Sequence, residues 1–415
     1  MLIAIGIAVF AGLGGMRGWR EQSARDSFAA LKYHDLRVSL TEGSFAKAGE
    51  LKAALRALPD ASIVTASQER LLAPTQIDTS ATGPRVFAPG LIVGAPVGAN
   101  GGSVDTVQAK VGRTLRADES REPLAVLDRS FARFYKLPTS GTIQLAGNQQ
   151  IEYVGQGQSP QYFLITSETG FGGESTQGTL FTSLETAQRL ARRPDQTNEL
   201  ALRLRPGVDQ QQAKRLVKAA LASSLPQLGA TVTLGTEESA HQILFRDAKN
   251  DQRMMTFFGL LVLFGACVAA FNLVSRAVEA ERREIGIGMA LGVQPAQLAL
   301  RPLALGTQIA LLGTLIGAGL TVWLAGTFAS IYETLLPLPA YANPFRPGVY
   351  LRGALIGFAL PFAAIIWPVV RGTRVMPIEA IRVGIRSAGS GGWAPFVKRV
   401  RLPGGSVGQM AIRNV

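Results

Sequence analysis

Apolar and polar positions divide this chain into two regimes. Residues 254–275, 302–328 and 350–370 are apolar runs long enough to cross a bilayer as helices. A fourth run, residues 2–15, is apolar but short. It lacks the positive start and the small-x-small cleavage site of a signal peptide. It is also marginal in length for a span, and a third reading is the outer part of a first membrane helix whose beginning is missing. Residues 17–253 carry the mixed patterning of a folded domain. Residues 34–40 suit a strand, 45–58 have helical spacing, and 62–71 again suit a strand. The same order returns at 199–204, 209–225 and 230–234. Two β-α-β units predict a split ferredoxin-like fold interrupted by an insert. That insert, residues 84–180, has turn residues between short β-rich runs and predicts a mostly β subdomain. Residues 237–253 are polar and helix-compatible, so one continuous helix is expected to lead into the run at 254.

Between the runs at 254–275 and 302–328 lies EAERREIGIGMALGVQPAQ, residues 279–297, too polar to enter a membrane with them. Glu279 and Arg283 sit one helical turn apart, as do Ile285 and Met289. A helix here has one charged and one apolar face, Gly292 stops it, and Pro295 suits the next first turn. Two readings stand side by side: a solvated connecting loop, or a short amphipathic element that docks into a soluble partner. Within 302–328, Gly313, Gly317 and Gly319 flatten one face for close helix approach. Gln308 is a polar group in that run and should face protein, and Pro361 should kink the last run.

The net charge of +13 raises the question of nucleic acid. The excess gathers after the last apolar run, in Arg371, Arg374, Arg382, Arg386, Lys398, Arg399, Arg401 and Arg413, opposed by Glu379 alone. Basic residues beside a membrane span mark its cytoplasmic side, and the basic-aromatic alternation that stacks bases is missing. A nucleic-acid partner is therefore not expected. The single cysteine, Cys267, excludes an intramolecular disulfide. His34 and His241 stand far apart without a Cys/His cluster, so no metal site is expected, and each is read as a surface or cap residue. The glycine-rich phrases at 98–102 and 170–173 lack the setting and the lysine of a phosphate loop, and no GxxxxGK[ST] occurs. Nor does the chain carry an HExxH motif. Glu168 and Glu174 are read as solvated loop charge. No catalytic residue and no cofactor are expected, and any ATP hydrolysis belongs to another polypeptide.

Arg283-Glu284-Ile285-Gly286 followed by Ala290-Leu291-Gly292 resembles the REIG…RALG segment of the FtsX-like (MacB-type) ABC transporter permeases. Gly288-Met289 stands where that family often has a basic residue before Ala-Leu-Gly. Residues 137–156 and 180–190 are similar to phrases of MacB-type periplasmic domains, and 371–382 to a segment just inside the membrane. Residues 408–415 are similar to the phrase that opens a permease unit, which suggests the first half of a longer duplicated permease.

The resemblance implies an α+β membrane protein with four transmembrane helices and a large α+β extracytoplasmic domain. The expected layout is a first helix at 1–16, the outer domain and stalk at 17–253, and a second helix at 254–276. A cytoplasmic coupling segment at 277–301, a third helix at 302–328, an external loop at 329–349, a fourth helix at 350–370 and a basic tail at 371–415 follow. The implied partner is an ABC ATPase subunit, together with a second permease half or homodimer partner, in the bacterial cytoplasmic membrane. Glu281, Arg283 and Glu284 are expected to supply polar docking contacts, and Ile285 and Met289 the apolar anchor. Gly286 and Gly292 would shape the backbone, with Ala290 and Leu291 completing the segment. The implied function is export or release of a lipoprotein, peptide or hydrophobic substrate by mechanotransmission. The alternative is a non-transporting regulator that activates a cell-wall hydrolase or acts in sensing.

Overall fold

The structure is a computed structural model, and it describes residues 1–80, 86–98, 102–163, 177–336, 338–343 and 345–373. The glycine-rich phrase at 170–173, Glu168, Glu174 and the basic tail beyond residue 373 lie outside the described residues. The chain divides into two units. One comprises Met1–Ile7, Leu261–Gly317 and the chain from Ala354; the other comprises Ala8–Leu260 and Ala318–Gly353.

The elements begin with helices α1 (Leu2–Gly14) and α2 (Met16–Ala30). Gly15 between them keeps near-helical angles (φ −93°, ψ −10°). Strands β1 (Leu36–Leu40) and β2 (Ala46–Lys47), helix α3 (Glu50–Ala54) and strand β3 (Val64–Asp78) follow. The insert holds β4 (Phe87–Ala95), β5 (Gln108–Gly112), β6 (Leu124–Asp128), α4 (Arg129–Phe134), β7 (Gly141–Leu145), β8 (Gln149–Gln158), β9 (Gly178–Ser183) and α5 (Leu184–Leu190). After it come β10 (Gln196–Thr197), β11 (Glu199–Leu204), α6 (Gln210–Ser224) and β12 (Ala230–Leu234). Helices α7 (Ser239–Ala280), α8 (Arg282–Ala290), α9 (Pro295–Leu335) and α10 (Pro347–Thr373) complete the described chain.

The sheet order starts β12-β1-β11-β3, all antiparallel, which is the arrangement of two split β-α-β units. Their core sets Leu36, Val38, Leu200 and Leu202 of the sheet against Leu51 of α3 and Val217 and Leu221 of α6. The insert joins through β3, whose first half pairs with β11 and whose second half pairs with β4. The sheet then continues β4-β9-β6-β8-β5. Strands β6 and β9 are buried at every position, as central strands covered on both faces are. Helix α5 lies so close to β4 that a Cβ at Gly94 would come within 2.1 Å of Ala187 Cβ.

The helical expectation over 45–58 is corrected. Residues 46–47 form a strand paired with β10, and α3 spans five residues before a short 3-10 turn. The cause is local: Gly49 has φ +87°, and the Glu69 carboxylate holds the Gly49 and Lys52 amides. The strand expected at 62–71 runs on to Asp78 because β4 gives its second half a partner. The loop expected from 329 begins later, since α9 continues to Leu335.

Among the described residues three helices are long and apolar enough to cross a membrane: α7, α9 to Thr334, and α10 to Gly372. Helix α1 is also apolar, but it has 13 residues. In the first unit a Cβ at Gly313 would meet Ile3 at 2.8 Å, and one at Gly317 would meet Ile7 at 2.8 Å. A Cβ at Gly357 would meet Ile7 at 2.4 Å, so α1 fits against small residues of both α9 and α10. Among the described residues Gly319 has nothing within 4 Å of a built Cβ, so the close-approach face there comprises Gly313 and Gly317 without it. A helix repeats every 3.6 residues, and Gly319 lies about 200° from Gly317.

In the second unit α2 lies against the start of α7. Arg20 pairs with Asp251 at 2.6 Å, and Phe28 stacks on Tyr33 and His241 with centroids 4.5 and 5.4 Å away. Trp19 meets Tyr332 of α9 edge-on at 5.1 Å. Ser23 Oγ accepts the Ala342 amide at 2.9 Å, and Ser27 Oγ donates to the Ala340 carbonyl at 3.1 Å.

Candidate functional site

Glu281 stands at the N-cap of α8, and the helix ends in a double backbone bond. The Val293 amide donates to the Gly288 carbonyl at 3.0 Å, and the Gly292 amide to the Met289 carbonyl at 3.0 Å. With Gly292 at φ +89°, this is a left-handed glycine cap, and α9 begins three residues later at Pro295. A Cβ at Gly288 would come within 2.9 Å of Leu298, so α8 and the start of α9 pack closely as a hairpin. Arg301 of α9 reaches Glu284 at 3.6 Å and Glu281 at 4.0 Å, both as surface pairs.

Burial sorts the expected docking residues into two sets. Ile285 is 4 % exposed, Gly286 is buried and Met289 is half-buried, so the apolar anchor expected at 285 and 289 is largely covered within the chain. The outward apolar residues are Ile287, 43 % exposed, and Leu291, 79 % exposed. Arg283, Glu284 and Ala290 are exposed with them, and Glu281 is half-buried. Arg283, Ile287 and Leu291 are spaced four residues apart and form one stripe on the open face. Among the described residues Arg283 has no ion-pair partner.

A second constellation lies in the β-rich unit, and its members are far apart in sequence. Asp105 accepts the His34 amide at 2.9 Å and the His34 Nδ1 proton at 2.7 Å, and it pairs with Arg70. Arg70 reaches Glu199 at 3.3 Å, and Glu199 reaches Arg37 at 3.3 Å. Arg37 closes the chain on Glu238 at 2.6 Å, just ahead of α7. Burial alone would raise the Asp105 pKa, but His34 and Arg70 beside it hold the carboxyl well below the usual carboxylate range. His34 is 1 % exposed, so its expected place at the surface or in a cap is corrected. The partner that pulls it inside, Asp105, lies 71 residues away and sequence spacing gave no sign of it. His241 is also packed inward, stacked on Phe245 with centroids 4.4 Å apart, and burial lowers its pKa.

Asp128 is a buried carboxylate outside both constellations. Its Oδ1 accepts the Phe131 amide at 2.8 Å and caps α4, while its buried Oδ2 has no hydrogen-bond partner among the described residues. Burial pushes its pKa up to about 7, against roughly 3.9 in an unfolded chain. The native state therefore binds this proton more tightly. The stabilisation is complete below pH about 4 and is lost as pH rises through about 7. Asp128→Asn keeps a good cap and removes the ionisation. Hydrogen exchange of β6 should show no difference from the parent at pH 4 and a gain on the order of 3–4 kcal/mol at pH 8. An equal effect at both pH values would contradict the assignment.

A membrane protein carrying an α+β domain on apolar helices is the class these elements define. Residues 1–220 match the family described as the MacB-like periplasmic core domain, and residues 256–377 match the FtsX-like permease C-terminal family. The chain belongs to the FtsX/MacB-type permeases of the ABC transporter class. It is 28% identical over 200 residues to the lipoprotein-releasing system transmembrane protein LolC of Neisseria meningitidis serogroup B. That alignment covers 42% of this chain and 48% of LolC, so the chain spans about half the length of that curated relative. Among solved structures, the periplasmic region of MacB from Actinobacillus actinomycetemcomitans aligns with TM-score 0.36 at 12% identity, covering 50% of this chain and 92% of that one. The extracellular domain of the ABC-type transporter YknZ from Gram-positive bacteria aligns with TM-score 0.34 at 8% identity, covering 48% and 98%.

Proposed function

We propose that this chain is the membrane subunit of an ABC system and takes up the motion of a separate ATPase through the α8–α9 hairpin. The observation that carries the reading is the open stripe Arg283, Ile287 and Leu291, held by the Gly292 cap between two long apolar helices. An exposed leucine offers apolar area whose burial by a soluble partner is favourable. In this reading residues 277–301 are cytoplasmic and 17–253 form the extracytoplasmic domain and stalk. Helix α1 is a fourth span, supported by its fit against Gly313, Gly317 and Gly357. The spans lie at 1–16, 254–276, 302–328 and 350–370 in the bacterial cytoplasmic membrane, with 329–349 as the outer connection and 371–415 as the inner tail. A second permease half or a second copy of this chain completes the membrane assembly.

Helix α7 is unbroken from Ser239 to Ala280, so a displacement at α8 has a stiff element to follow toward Glu238 and the buried ion pairs. The likeness to LolC supports an exported lipoprotein as substrate, moved by mechanical transmission without catalysis by this chain. The test is co-purification of the detergent-solubilised chain with a Walker-A ATPase. Parent chain should retain the ATPase, and chain altered at Leu291 should lose it. Equal retention would count against the hairpin.

A further inference from the structure

Arg129 and Arg133 sit one turn apart on α4, the six-residue helix that follows β6. Both are directed at the end of α9 that lies away from α8. Arg133 Nη2 donates to the Thr334 carbonyl at 3.2 Å, one residue before α9 ends. Arg129 stands close enough to Tyr341, in the connection after α9, for its charge to act on that phenol, whose pKa burial pushes up to about 12. This face of the insert is therefore the one turned toward the membrane helix. Six residues separate Thr334 from Phe328, where the apolar run ends, a rise of roughly 9 Å along the helix. Headgroups occupy about 5–8 Å on each side of the hydrocarbon, and charge acts across a further Debye length of about 8 Å. Long basic side chains on α4 thus stand within reach of lipid phosphates.

Charge on this face is one-sided. Lys110 lies beside Arg129, and burial together with that like charge lowers its pKa. Lys136 follows the helix, and residues 129–151 contain no acidic residue. Lys110, Arg133 and Lys136 are exposed and Arg129 is half-buried. Among the described residues none of the four has an ion-pair partner. Other arginines of the same unit are paired, Arg113 with Glu119 at 2.7 Å and Arg25 with Glu21 at 3.0 Å. Clustered like charges repel one another, and an anionic surface relieves that repulsion. Phe134, 55 % exposed on the next face of α4, adds an aromatic ring of the kind that favours the membrane–water interface.

We infer that the α4 face of the insert rests on anionic lipid headgroups of the membrane that α9 crosses, with Lys110, Arg129 and Lys136 on phosphates and Arg133 holding the face to α9. A soluble acidic partner would meet the same charge, but nearness to the end of an apolar run and the exposed ring favour lipid. The inference rests on α9 crossing a membrane and is independent of the ATPase. Headgroups are hydrated, so positions at this level stay open to aqueous reagents.

The test uses the full chain in nanodiscs of phosphatidylcholine with and without phosphatidylglycerol, each lipid in turn carrying a headgroup diazirine, followed by peptide mass mapping. Adducts on peptides containing residues 110 and 129–136 are expected at least fivefold higher from the phosphatidylglycerol probe, and should fall as salt rises. Lys110→Gln with Arg129→Gln and Lys136→Gln should lower them to the phosphatidylcholine level while adducts on α7 and α10 stay constant. Lys136→Gln alone, at an exposed position after the helix, should at least halve them with hydrogen exchange of β6 unchanged. Equal adducts from both probes, or adducts that survive the triple variant, would overturn the site. Adducts insensitive to phosphatidylglycerol content but competed by soluble polyglutamate would overturn the lipid assignment in favour of an acidic protein. ATPase co-purification, read on the same preparations, reports separately on the hairpin.

Discussion

Leu291→Ser is expected to weaken association with the ATPase at least tenfold while leaving the unfolding temperature of the chain unchanged. Leu291 is 79 % exposed, so little intramolecular packing is lost. Burying a leucine fully at an interface contributes about 1.5–3 kcal/mol, and 1.4 kcal/mol is tenfold in affinity. Serine also tolerates the helix terminus and adds no charge beside the C-terminal dipole. Exchanging the neighbouring charges, Arg283→Glu with Glu284→Arg, should have a smaller effect on affinity. Glu284 lies on the surface and is partly engaged by Arg301, and such exposed pairs contribute about 0–1 kcal/mol. The order of the two effects separates an apolar docking centre from a chiefly electrostatic one. Affinity is read by titrating the ATPase onto nanodisc-held chain at two salt concentrations. A charge exchange that outweighs Leu291→Ser would contradict the stripe as described.

The second large effect lies in the β-rich unit. Arg70→Met should cost about 3–5 kcal/mol, the range for removing one partner of a buried pair. Arg70 is 2 % exposed, and its removal takes one counter-ion from each of Asp105 and Glu199, at 5 % and 2 % exposure, leaving them His34 and Arg37 alone. The loss should appear as faster hydrogen exchange in β1, β3 and β11 together, since these strands meet at the cluster. Arg70→Met with Glu199→Gln and Asp105→Asn should recover part of it, because stranded charge costs more than neutral groups that keep their hydrogen bonds. A loss under 1 kcal/mol, or no recovery in the triple variant, would show that the cluster is solvated.

Local signals in the sequence were enough for the helices and their punctuation. The apolar runs at 254–275, 302–328 and 350–370 lie inside α7, α9 and α10, because twenty consecutive apolar residues leave few alternatives. Gly292 and Pro295 act within a turn of their own positions, so their effect is legible in a short window. The two β-α-β units also rest on short-range periodicity, and their strands pair in the order β12-β1-β11-β3. Pairing between distant segments was not legible. Asp105 meets His34, Arg70 meets Glu199 across 129 positions, and nothing in spacing marks either contact. Helical periodicity at 282–290 offers two apolar pairs, 285/289 and 287/291, and cannot say which turns inward. The burial of Ile285 decides it, leaving Leu291 outside.

The central claim is that the α8 hairpin and the β-rich domain stand on opposite sides of the membrane. Single cysteines test it most directly, placed by Leu291→Cys and Phe134→Cys at exposed positions in a chain whose own cysteine is replaced by Cys267→Ala. An impermeant maleimide applied to intact spheroplasts should modify the cysteine at position 134 at once, and that at 291 only after permeabilisation. Modification of both from the same side would contradict the account.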